Sequence, residues 1–223
     1  MIATSSSLLW YTTRASGIVS LLLLTAVMVG GIMTATRVGG GTVPRFAVAE
    51  IHRRISLIAM AFIALHIITT LLDTYVNVSP LAVLVPFASQ YKPLKVALGA
   101  VAFDLLLAIT ISSLVKQKLS HSAWRAIHWI SYLAFPIAVL HEALIGTDFR
   151  FAWMILLSLV CVGTVAVALA WRFWAHPRPD GALTAVPART APPKRSKAII
   201  NRTPATKASP GRHRGSSSTK RRP

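Results

Sequence analysis

Apolar residues in this chain fall in long continuous blocks, without the alternation of a half-buried strand or the polar face of a surface helix. A helix needs about 20 apolar residues to cross a hydrocarbon core. Five blocks reach that length, near residues 15 to 36, 46 to 74, 94 to 115, 124 to 146 and 151 to 174. The pattern predicts an all-α integral membrane protein, a bundle of five transmembrane helices with a sixth left open. Pro44 suits the opening turn of the second helix, Ser122 is placed to cap the fourth, and Asn77, Ser79 and Pro80 break the chain after the second. Leu81 to Ala88 is too short to span and fits an interfacial or re-entrant piece. The first block also has the position of a secretory signal, but its length and the lack of a small-residue cleavage site before Arg37 favour a retained helix.

Charge changes the picture less than its size suggests. The 223 residues carry 24 Lys/Arg and 6 Asp/Glu, a net charge of +18. Cutting at Ala175 leaves 12 bases and five acids before the cut, and 12 bases and one acid, Asp180, after it. The body is therefore a modestly basic membrane protein with a basic extension. From Pro177 onward the chain is rich in Pro, Ser, Thr, Ala, Lys and Arg and too poor in bulky apolar residues to build a core, so a disordered tail is expected over 176–223. Membrane lipid is its expected contact, and no specific nucleic acid is implied. Residues 1–14 form a short segment ahead of the membrane domain at 15–175.

Lys and Arg favour the cytoplasmic flanks of membrane helices. Arg37, Arg45, Arg53 and Arg54 lie between the first two spans, and Lys116, Lys118 and Arg125 between the third and fourth. Arg14, Lys92, Lys95 and Arg150 lie at the other end, interspersed with Asp73, Glu142 and Asp148. This asymmetry predicts a multi-pass plasma-membrane protein with its N-terminus outside and its basic tail in the cytoplasm.

Cys161 is the only cysteine, which excludes a disulfide framework, a Cys-x-x-Cys-His haem attachment and a thiolate metal cluster. Any metal must be held by histidine. Imidazoles are costly inside a membrane, yet His52 and His66 lie 14 residues apart in the second span, and His128 and His141 lie 13 apart in the fourth. At 1.5 Å per residue these separations are about 21 and 20 Å, so the two pairs match in height on parallel helices. His52 is expected to face His128, and His66 to face His141. Two neutral imidazoles at each level suit the opposite faces of one haem iron and leave no open position, which favours electron transfer over oxygen activation. The angles are less tidy. Fourteen residues return a side chain to within about 40° of its starting face, whereas 13 leave it about 140° away. Pro136, between His128 and His141, is expected to distort the fourth helix and re-aim the pair.

Arg53, Arg54 and Arg125 are candidates for the anionic propionates of the inner haem, and Lys92, Lys95 and Arg150 for the outer one. Gly30, Gly31, Gly99 and Gly163 permit close approach of a porphyrin or a helix. Trp10, Trp124, Trp129, Trp171 and Trp174 sit mostly near helix ends, as interface anchors do. His121 has no matching partner, and His176 and His213 fall in or beside the tail.

The His-x13-His and His-x12-His pairs on two membrane helices resemble the ferric reductase transmembrane family, which includes the NADPH oxidase membrane domain and the haem subunit of a periplasmic methionine sulfoxide reductase. The resemblance covers about residues 10 to 174 and extends to the opening Leu9-Trp10-Tyr11 through Arg14-Ala15-Ser16-Gly17. It implies two b-type haems, one between His52 and His128 and one between His66 and His141. The chain departs from the larger members in having no Gly-x-Gly-x-x-Gly after a strand and no room for flavin and nicotinamide domains in 47 tail residues. The implied function is an oxidoreductase subunit that passes electrons from a separate donor, a flavoprotein or a quinol, to an extracytoplasmic acceptor. A quinone-linked cytochrome b is a competing reading, as is a haem-free scaffold acting through its basic tail.

Overall fold

In a computed structural model, the structure describes residues 2–36, 44–73 and 78–174. All regular structure among them is helical. The readings made for Arg37, Asn77, the tail, His176 and His213 lie outside the described residues, as does the side chain of Arg45. Six helices follow in order: α1 (Ile2–Thr36), α2 (Arg45–Leu72), α3 (Pro93–Leu114), α4 (His121–Trp129), α5 (Ser131–Ile145) and α6 (Ala152–Trp174). Short 3-10 turns at Pro80–Val83, Lys116–Lys118 and Thr147–Arg150 join them. With α4 and α5 taken as one segment, five helices are long and apolar enough to cross a membrane. The chain is a multi-pass helical membrane protein.

The helix starts follow from local chemistry. Proline has no N–H to lose in a first turn, and α3 begins at Pro93, just as Pro44 directly precedes α2. The fourth span is capped by Ser120 and not by Ser122: the Ala123 N–H donates to Ser120 Oγ at 3.2 Å, because the helix starts three residues earlier than the apolar block. α1 is already helical at Ile2, well before residue 15, so no break separates residues 2–14 from the first span. Several of its hydroxyls bond back along the helix, as Thr12 to the Leu8 carbonyl at 2.8 Å and Ser16 to the Thr12 carbonyl at 2.7 Å. Residues 81–88 are too short to span, as expected, and form a 3-10 turn and bends, with Phe87 at a φ of 69°.

α1 packs along α2, α3 packs along α5, and α6 rests on α1. α2 makes no comparable packing with α4 or α5, so the two histidine-bearing spans face one another with space between them. Between the histidine levels, Leu24 and Met28 of α1, Ile63 of α2, Phe135 of α5 and Val165 of α6 form one buried apolar cluster, of which Leu24 and Ile63 also line the outer cavity. On α6 the buried stripe Met154, Ser158, Cys161, Val165 repeats at helical spacing, while Leu156, Leu159, Val160 and Val167 stay exposed. An apolar outer face of this kind is suited to hydrocarbon, which the exposed side chains do not need to escape.

The first and last parts of the bundle are tied by an ion pair. The Arg14 guanidinium of α1 grips the Asp148 carboxylate of the last 3-10 turn with two nitrogens, Nε donating to Oδ2 at 2.6 Å, and stacks 3.9 Å from the centre of the Trp10 ring. Asp148 is buried. Asp148→Asn should therefore destabilise the purified protein by about 2 kcal/mol, the contribution of hydrogen bonds to a charged group. An unchanged thermal unfolding midpoint would show that the pair does not hold α1.

Candidate functional site

The four histidines fall into the two pairs expected from their spacing. His52 on α2 and His128 at the end of α4 have ring centres 6.2 Å apart, with planes at 76°. His66 on α2 and His141 on α5 line a single cavity of about 340 Å³, with Gly17, Gly99, Leu24 and Phe103 among its walls. The fourth span is not one regular helix. It is interrupted at Ile130, whose carbonyl accepts from both Leu133 at 2.9 Å and Ala134 at 3.0 Å, whereas Pro136, where the distortion was expected, lies inside α5. His128 lies before this break and His141 after it, so the second pair need not share one face of a straight helix.

Each outer histidine is oriented by a backbone carbonyl on the neighbouring helix. His66 Nδ1 lies 2.9 Å from the Thr13 carbonyl of α1, and His141 Nδ1 lies 2.8 Å from the Lys95 carbonyl of α3. A carbonyl can only accept, so Nδ1 carries the proton in both rings and Nε2 presents its lone pair. Four residues beyond each carbonyl stands a glycine. A Cβ on Gly17 would lie 3.2 Å from His66 Nδ1, and one on Gly99 would lie 2.6 Å from His141 Cε1. A side chain at these positions would occupy the groove through which the imidazole reaches the carbonyl. The same register recurs on α1 at the inner level, where His52 lies beside the Val27 carbonyl without meeting hydrogen-bond geometry and a Cβ on Gly31 would stand 3.2 Å from its Cε1. His128 Nδ1 is likewise buried with no hydrogen-bond partner among the described residues. Gly30 and Gly31 thus lie against His52 and Gly99 against His141, whereas Gly163 has nothing within 4 Å.

Among the described residues, no group of three or more His, Cys, Asp or Glu side chains converges as a metal site would. Two imidazoles alone do not complete a zinc site, but a haem would need no more than a pair of histidines, and each level offers one pair. The space between α2 and the α4–α5 span, the close-approach glycines and the outer cavity all suit a flat apolar group. The residues fit.

The cationic candidates are arranged differently. Arg53 and Arg54 turn back to Glu50, at 3.7 and 2.8 Å, and their side chains are 69% and 73% exposed. Arg125 is exposed on α4. None of the three is brought to the histidines. At the outer level Lys92 lies over Tyr91 and Arg150 over Phe151, and neither lines the cavity, while Lys95 contributes its carbonyl. The cavity wall holds Arg14 instead, with the hydroxyls of Thr13 and Ser20 and the Glu142 Oε1, all three buried and without a hydrogen-bond partner among the described residues. Glu142 Oε2 accepts from the Ser158 hydroxyl at 3.4 Å. Their signal in the sequence was faint: Arg14 and Thr13 precede the expected span, and Glu142 is marked only as an acid adjoining a histidine. His121 joins no pair and lies 5.9 Å from Trp124. Trp124 departs from an interface anchor, since its ring stacks on His128 at 5.0 Å with its N–H buried.

No curated protein and no solved structure matches this chain. One family model matches residues 8–148, a stretch that contains all four histidines and both helix-breaking elements of the fourth span; the chain belongs to that family, a domain of unknown function (DUF8596).

Proposed function

We propose that the protein is the membrane subunit of an oxidoreductase and carries electrons through two b-type haems, the inner one held by His52 and His128 and the outer one by His66 and His141. The observation that carries this reading is the outer pair: two half-buried imidazoles, each with Nδ1 tied to a backbone carbonyl and Nε2 left with its lone pair, line one cavity. Held by these histidines, a haem would supply one-electron chemistry. The protein's own part is to orient the ligands, exclude water and hold the two levels apart. The Thr13 and Lys95 carbonyls fix the tautomer and the ring plane of the outer ligands. Ile63 and Phe135 fill the interval between levels. The distribution of Lys and Arg supports an orientation with the inner pair on the cytoplasmic side of the plasma membrane and the outer pair facing out. Electrons then come from a separate flavoprotein or quinol and leave to an extracytoplasmic acceptor.

The pyridine haemochrome of the purified protein should give two b haems per chain. His52→Ala or His128→Ala should remove one of them, and His66→Ala or His141→Ala the other, with membrane insertion retained. A protein without haem, or four variants that each keep both haems, would overturn the assignment.

The glycine cradle gives a second test with its own control. Gly99→Ala forces the His141 ring away from the Lys95 carbonyl and should lower outer-haem occupancy severalfold or alter its axial-ligand spectrum. Gly163→Ala, which meets open space, should leave both haems unchanged. Equal behaviour of the two variants would remove the cradle from the account.

A further inference from the structure

At the α3–α4 end of the bundle, a line of ring contacts joins the surface to the inner histidine pair. The Lys116 ammonium lies 3.8 Å from the centre of the Trp124 ring. Trp124 stacks on His128 at 5.0 Å with planes 25° apart, and His128 meets His52 at 6.2 Å. A tryptophan that anchors a helix at the membrane surface points its N–H to water or headgroups. Trp124 has its Nε1 buried and without a partner, and its face laid on a ligand histidine.

The surface around this ring carries one sign of charge. Lys116, Lys118, His121 and Arg125 are all exposed, and no Asp or Glu occurs between residues 105 and 141. The opposite end differs, for there Arg14 is taken up by Asp148.

We propose that Lys116, Lys118 and Arg125 form the docking surface for a soluble flavoprotein with an acidic face, and that Trp124 is the contact through which its electrons reach the inner pair. The proposal rests on the two-haem reading above and names the donor's point of contact. The step balances simply: one electron would leave the reduced flavin of the docked donor for the haem that His52 and His128 would hold, so the donor would be oxidised and that haem reduced. No covalent bond forms or breaks, and no proton moves on this chain. Anionic lipid headgroups would satisfy the same charges, but they require no stack running from the basic surface to a ligand histidine. That stack favours the protein donor.

The test uses full-length haem-loaded protein in nanodiscs of zwitterionic phosphatidylcholine, with fully reduced flavodoxin as the acidic probe and haem absorbance followed after rapid mixing. The bimolecular rate should fall steeply with added salt. The double variant Lys116→Gln/Lys118→Gln should be about tenfold slower at low salt and little changed at high salt, as steered encounters are. Trp124→Leu should be slower at every salt concentration, and Trp124→Phe, which keeps a ring, should recover most of the rate. Excess dithionite reports haem content separately and should give the same final reduced spectrum for each variant. Full haem bands with rates insensitive to salt and to both classes of substitution would overturn the docking surface alone. Charge variants that lose only their binding to anionic vesicles would assign the patch to lipid and overturn it too. Absence of haem bands in the unmodified protein would overturn the two-haem reading itself.

Discussion

The hydrogen bond from a histidine Nδ1 to a carbonyl in the flank of a neighbouring helix is the interaction on which this bundle depends. A helical carbonyl is already engaged by the N–H four residues on and is usually screened by the side chain of that residue. Glycine at that place removes the screen, and the carbonyl accepts a second donor. At Thr13 with Gly17 and at Lys95 with Gly99, this local permission becomes long-range structure: α1 is bound to α2 through His66, and α3 to α5 through His141. Those are also the two helix pairs that pack most extensively. The bundle is thus two histidine-bearing helix pairs, each closed upon its own imidazole.

Much of this was legible in the residues. The five blocks of apolar sequence are the five crossing segments, and matched spacing paired His52 with His128 and His66 with His141 before any coordinates. The need for a distortion followed from the difference between 13 and 14 residues, but it was expected at Pro136, which lies inside α5, while the interruption falls at Ile130. What the sequence concealed were contacts that depend on helix rotation. Arg53 and Arg54 sit at the height of the inner pair, yet an i,i+4 and an i,i+3 carboxylate at Glu50 hold them on the outer face. Trp124 was indistinguishable from the other tryptophans at helix ends until its ring was found on His128. Thr13 was hidden for another reason: it acts through its backbone, which every residue possesses.

The two levels are built on one plan but finished differently. The outer pair has both Nδ1 atoms satisfied and lies in a cavity with hydroxyl, guanidinium and carboxyl groups at its wall. Among the described residues, the inner pair has no hydrogen-bond partner for either Nδ1 and is backed by the Trp124 ring. A hydrogen bond on the far nitrogen raises imidazole basicity, so as metal ligands the outer pair would be the stronger donors.

If the two levels carry electrons as proposed, the apolar cluster of Leu24, Met28, Ile63, Phe135 and Val165 between them bears on how that transfer meets the membrane voltage. A layer of this kind disfavours a file of water molecules, and so of protons, along the bundle axis. Negative charge passing from one level to the other would travel without a compensating ion and feel the membrane voltage directly, about 2.3 kcal/mol per charge for each 100 mV across the full bilayer. The Ile63–Phe135 layer would then be the dielectric of a molecular capacitor, and the rate of transfer through it would respond to how far the cell has charged its membrane.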